Sequence, residues 1–269
     1  MSFYPLFNVV GNSGFVNLPN FSPNNWEKTQ EGSKEIYAIS TDGTMWRSEN
    51  YMSIQPNRFA LVHANNFRSN EVIEHEGTYL SDLRLLQLKE TKGFEGEFSE
   101  LPKNTLESTH FPEWRATIGL ENSSSKVSYQ GEINPVPSHA SLLTFHPFIQ
   151  FGDVENYFVF LNLEKSPIYR WAEIEIYLAG TAKKVGTHKI RNNSANIIPL
   201  NQYGFSPSDL PVFLSKNMAG IPFGFGMDIK SGMLSLEHTH PPASFTLHGD
   251  RLSSQKSIKT NWSNFLNKK

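Results

Sequence analysis

Apolar and polar residues alternate along this chain in short runs with a repeat of two, and turn-forming pairs separate the runs. A repeat of two belongs to an extended strand, whose successive side chains point to opposite faces. Ile36–Ser40 (IYAIS), Arg58–His63 (RFALVH) and Glu173–Leu178 (EIEIYL) carry it. In EIEIYL, Ile174 and Ile176 face one way, and Glu173, Glu175 and Tyr177 the other. Leu83–Leu88 (LRLLQL) alternates in part. Tyr157–Leu163 (YFVFLNL) is nearly all apolar, which predicts a buried strand. Ser141–Phe151 is apolar and aromatic but broken at Pro147, and Asn196–Leu200 and Met233–Leu236 are further strand candidates. Asp42-Gly43, Lys92-Gly93, Gly180, Asn192-Asn193 and Ser206-Pro207 supply turns.

Helical spacing is scarce. Ser206–Leu214 fits one short helical turn that Pro211 interrupts. In Ile258–Leu266, Ile258, Trp262, Phe265 and Leu266 stand at i, i+4, i+7 and i+8, which predicts a short C-terminal helix. Many short strands with frequent turns predict an all-β fold, an antiparallel β-sandwich. It would be one large domain or two related sandwich-like ones. A weak echo, strand–turn–strand before Val62 and again before Leu200, divides the chain. The expected parts are an N-terminal β-rich half (1–120), a linker or crossover (121–137) and a C-terminal half with the helix (138–269).

Composition agrees with the pattern. Of 269 residues 13% are aromatic, 20 of them Phe, and aromatics fit pleated sheets. The net charge of −2 leaves no cationic excess for phosphates, so nucleic acid is not expected as a partner. Absence of cysteine excludes disulfides, thiolate zinc sites and thiol chemistry. The first residues, MSFYPLFNVVGNSGF, carry no basic group and are interrupted by Pro5, Asn8 and Gly11. They read as neither a signal peptide nor a membrane helix. The expectation is a soluble cytoplasmic protein with no membrane partner. Triplets of the glycosylation type at Asn20, Asn122, Asn192 and Asn261 then read as chance.

Two polar stretches carry candidate chemistry. In SLEHTHPPASFTLHGD (235–250), His238 and His240 share a strand face, and His248 would join them if the chain folded back as a hairpin. Neutral imidazoles suit Zn, Fe, Ni or Cu, so a divalent metal is the one cofactor this segment suggests. Gly232, five residues, then His238-Thr239-His240 resembles the opening of the first cupin motif. That resemblance implies a metal-dependent β-barrel enzyme. Ser244 and Phe245 stand where the family has a glutamate, and no histidine follows Gly249 for its second motif.

HANNFRSNEVIEHEG (63–77) follows a strand and reads as a loop at a sandwich end. His63, Asn65, Asn66 and Arg68 offer it ligand-binding donors and acceptors, and His238 and His240 line the other candidate rim. Glu74 and Glu76, if on one strand face, would form a carboxylate pair of the kind glycosidases use. No phosphate loop, nucleophile elbow or serine triad can be assembled. The leading expectation is therefore a non-catalytic binding protein for a polar, carbohydrate-like ligand or glycan, without a cofactor. The alternatives are the metal-dependent enzyme and a structural subunit of a β-rich homo-oligomer.

Overall fold

A computed structural model describes residues 3–20, 32–67, 71–89, 93–101, 116–145, 149–238, 260–262 and 264–265, with His238 placed by its backbone alone. Nearly all ordered structure is antiparallel β. The first half contributes β1 (Tyr4–Leu6), β2 (Ser13–Asn20), β3 (Lys34–Thr41), β4 (Trp46–Ile54), β5 (Arg58–His63), β6 (Val72–His75), β7 (Thr78–Asp82), β8 (Arg84–Lys89), β9 (Gly96–Phe98), β10 (Thr117–Glu121) and β11 (Lys126–Gln130). The second contributes β12 (Leu142–Phe145), β13 (Val154–Asn162), β14 (Trp171–Leu178), β15 (Lys183–Arg191), β16 (Ser194–Pro199), β17 (Pro211–Ser215), β18 (Ile221–Asp228) and β19 (Leu234–His238).

Among the described residues four open sheets result. Sheet A runs β1-β8-β3-β4-β9 and sheet B runs β11-β10-β2-β5. Sheet C runs β19-β18-β13-β16-β7-β6 and sheet D runs β12-β17-β14-β15. Sheet C is the middle layer. From β13, Tyr157, Val159 and Leu161 join one core with residues of sheets A and B, such as Val16, Ile36 and Leu85. Phe158 and Phe160 point the other way, into a core with Ile174, Ile176 and Phe213 of sheet D. The Phe158 and Phe213 rings stack at 3.8 Å. This explains why YFVFLNL does not alternate: both of its faces are dry. Each such side chain contributes about 1.5–3 kcal/mol of burial.

Polar residues in these apolar strands fasten turns. Asn162 and Asn196 are fully buried. Asn162 donates to Ala219 O and accepts the Asn193 N–H. Asn196 donates to Arg191 O and accepts the Arg191 N–H, closing the β15–β16 turn. That turn needs a positive φ at Asn193 (51°). Asparagine is among the non-glycine residues that take this region most readily.

The sequence-predicted strands fall where expected, and EIEIYL buries Ile174 and Ile176 completely. Tyr177 departs from the simple alternation. It lies on the outer face of sheet D but is buried with Val212 and Leu214, and Trp262 packs against them. Trp262 belongs to the short C-terminal helix at residues 260–262 and 264–265, and its ring meets Phe145 edge-on at 5.2 Å. Ser206–Leu214 is a turn running into strand β17 rather than a helical turn. Asp209 accepts bonds from the Ser206 N–H and hydroxyl, and Pro211 opens the strand. IPFGFGMD forms β18, in unbroken register with both β13 and β19.

Residues 121–137 contain the end of β10, a tight turn and β11, and Ile133 bridges to Phe3. The hairpin β6–β7 lies early in the chain yet pairs through β7 with β16 in sheet C. Its Glu76-Gly77 turn has positive φ at both residues, 48° and 76°, the geometry suited to a two-residue hairpin.

Candidate functional site

A cleft of about 630 Å³ opens at one end of sheet B. It is lined by Asn8, Val9, Gly11, Asn12 and Ser13 from the β1–β2 turn, Asn65 after β5, Val72 of β6, and Glu121, Asn122 and Ser123 at the β10–β11 turn. Its size lies within the range of small-molecule sites.

Local chemistry builds each wall. The β1–β2 turn closes with reciprocal backbone bonds between Val9 and Asn12, and Gly11 takes a φ of 71°. Asn8 Oδ1 accepts the Gly14 N–H at 2.9 Å, which holds the start of β2. At the β10–β11 turn, Asn122 Oδ1 accepts the Ser124 and Ser125 N–H groups. Asn122 Nδ2 donates to Asn12 Oδ1 at 3.1 Å and to Gly232 O at 2.9 Å. Ser125 adds a hydroxyl bond to the same Gly232 carbonyl and accepts the Leu234 N–H. One asparagine thus ties together the β1–β2 turn, the β10–β11 turn and the β18–β19 turn.

Charge at the cleft is balanced. Glu121 Oε1 meets His63 Nδ1 at 2.7 Å, and Glu121 Oε2 meets Lys126 Nζ at 2.7 Å. Partial burial pushes the Glu121 carboxyl upward, but Lys126 and His63 together outweigh that and leave it below the usual carboxylate range. Lys126 lies 3.9 Å above the Phe15 ring, a cation–π contact, and Phe15 is itself buried across Gly119. A Cβ at Gly119 would stand 2.3 Å from the Phe15 ring and 2.2 Å from Val127 O. Glycine is required there so that the ring can support this ion pair. The Ser13 hydroxyl, across the strand from Glu121, is buried with no hydrogen-bond partner among the described residues. The exposed Asn65 amide likewise has no partner among them.

Of the sequence-predicted residues, Asn65 lines this cleft, and His63 stands beside it against Glu121, itself a lining residue. Asn66 instead donates to the Tyr51 hydroxyl at 2.7 Å. Arg68, His240 and His248 lie outside the described residues, and His238 ends β19 opposite Phe223. Among the described residues no group of three His, Asp or Glu side chains could hold a metal ion. Glu74 and Glu76 do not share a strand face: Glu74 is in β6, whereas Glu76 is in the turn and pairs with Lys189 at 3.1 Å. Asn20, Asn122 and Asn192, each the start of a glycosylation-type triplet, all spend their side-chain amides on internal hydrogen bonds.

Sequence reasoning missed Asn8, Asn12, Glu121 and Asn122. The available signal was turn chemistry: VVGNSG and ENSSSK each place an asparagine where its side chain can bond backbone nearby. Nothing local says that the two turns meet.

One further buried histidine is structural. His188, on the inner face of sheet D, is buried; its Nδ1 meets Thr78 Oγ1 at 3.1 Å and its Nε2 meets the Tyr203 hydroxyl. Burial holds its pKa below the ordinary histidine value, against a smaller opposing hydrogen bond with the Gly77 backbone.

Among the described residues no helix is long and apolar enough to cross a membrane. No family model, curated protein or solved structure matches the chain.

Proposed function

We propose that this is a cytoplasmic binding protein for an uncharged, hydroxyl-rich ligand of carbohydrate type, held in the cleft beside Asn65 and Glu121. The observation that carries the reading is the character of the lining. Four asparagines and two serines surround one carboxylate, with Val9 and Val72 as the apolar part. Amides and hydroxyls both donate and accept, which matches a ring of hydroxyl groups. Glu121 is already neutralised by Lys126. Among the described lining residues the carboxylate is thus balanced by Lys126, and neither anionic nor cationic ligands are favoured.

Isothermal calorimetry and thermal shift against neutral mono- and disaccharides, with sugar phosphates and nucleotide sugars as charged comparisons, test it. The expected result is saturable binding of at least one neutral sugar, weakened about tenfold in Asn65→Ala, which removes an amide that forms no bond within the described fold. Preference for the charged set, or no response to any member, overturns the reading.

A further inference from the structure

The cleft's edge also carries a group that the binding role does not use. His63 Nδ1 faces Glu121 Oε1 at 2.7 Å, and the second carboxylate oxygen is held by Lys126. A carboxylate accepting the Nδ1–H fixes the tautomer with the Nε2 lone pair free. Nε2 has no partner among the described residues, and the side chain is 32% exposed. An imidazole oriented by a carboxylate, with its other nitrogen free, is the arrangement of a general base. Asn65 stands two residues further along the chain, and its amide can donate to an oxyanion. Among the described residues lining the cleft Glu121 is the sole carboxylate, so they do not offer the two-acid arrangement for glycosidic bonds.

We infer that the cleft removes ester groups from its hydroxylated ligand, with His63 as general base and Asn65 as oxyanion donor; the inference rests on the binding reading above. In the step, His63 Nε2 takes a proton from water as the water oxygen bonds to the ester carbonyl carbon. The carbonyl π pair moves to its oxygen, where the Asn65 amide donates to it. As that pair returns, the C–O bond to the sugar breaks. The departing alkoxide takes the proton back from the imidazolium. A carboxylic acid and a free hydroxyl are the products. Glu121 is a positioning residue throughout.

Hydrolysis of 4-nitrophenyl acetate and of glucose pentaacetate by the full chain tests it, alongside calorimetry with the unacylated sugars. Expected is turnover of both esters. His63→Gln should lose roughly a hundredfold in rate. Glu121→Gln should lower kcat while KM stays unchanged, and Glu121→Asp should restore part of the rate, a pattern that a merely structural role would not produce. Circular dichroism confirms folding of each variant, and Asn65→Ala, altering an exposed side chain, supplies a second variant that should lose rate without losing fold. No hydrolysis by the wild type, or hydrolysis unchanged in folded His63→Gln or Asn65→Ala, overturns the inference. Sugar binding without hydrolysis would do so while leaving the binding reading intact.

Discussion

His188 shows how one side chain couples stability to pH. Its folded pKa is depressed by burial between Thr78 and Tyr203. The unfolded chain therefore takes up the proton first. The stabilising contribution is complete above the ordinary value of 6.5 and is lost as pH falls from there toward the folded value. Wild-type stability should drop through this window by up to about 1.4 kcal/mol per pH unit from this residue. Urea unfolding of wild type and His188→Gln at pH 7.5, 6.5 and 5.5 checks it. The variant should be less stable at pH 7.5 and should lose less on acidification. Equal slopes for the two proteins would refute the assignment. Glu121 adds the carboxylate counterpart: its depressed pKa contributes above the usual carboxylate range and is lost as pH falls through the folded value.

At the scale of elements, alternation was the most legible feature. RFALVH folds as read because it has one dry face, EIEIYL does so up to Ile176 with Tyr177 the exception, and the buried run YFVFLNL is dry on both faces. Strand β4 (WRSENYMSI) escaped notice because most of its residues remain exposed. Strand β2 was masked by Asn17 and Pro19. Proline is tolerated there because the ladder with β10 ends at Asn17, leaving Pro19 paired only with β5. The cleft was half legible: the loop after β5 announced itself by composition, but its opposite wall comes from turns far away in sequence. Asn122 makes that wall, and Asn122→Ala removes four hydrogen bonds at once. We expect a loss of about 1–3 kcal/mol in urea unfolding, because the abandoned groups can partly rehydrate at this half-buried site. A folded Asn122→Ala with undiminished stability would show that the three turns hold without it.

At the scale of the whole molecule, the halves are interlocked rather than strung together. Sheet C serves two cores, and β7 from the first half is hydrogen-bonded into it. A second lock lies nearby: the Trp46 indole donates to Lys165 O, and the Tyr169 hydroxyl donates to Thr41 O. The Tyr169 ring also lies against Gly43, where a Cβ would stand 2.6 Å away. Damage to one core should therefore be felt in the other. Phe158→Ala, facing sheet D, should cost about 3–5 kcal/mol. Amide hydrogen exchange should then accelerate in β2 of sheet B as much as in β14 of sheet D. Acceleration confined to β14 would mean that the layers unfold separately.

The β7–β16 ladder has a consequence in time. It pairs Asp82 with Ser194, so the hairpin leaves the ribosome roughly a hundred residues before its partner strand exists. Loop closure across that distance is slow, and sheets built from such distant partners fold late. Until then Leu80 and Ile73 have no sheet C to join. The nascent first half must therefore wait in an incomplete state until β16 is made.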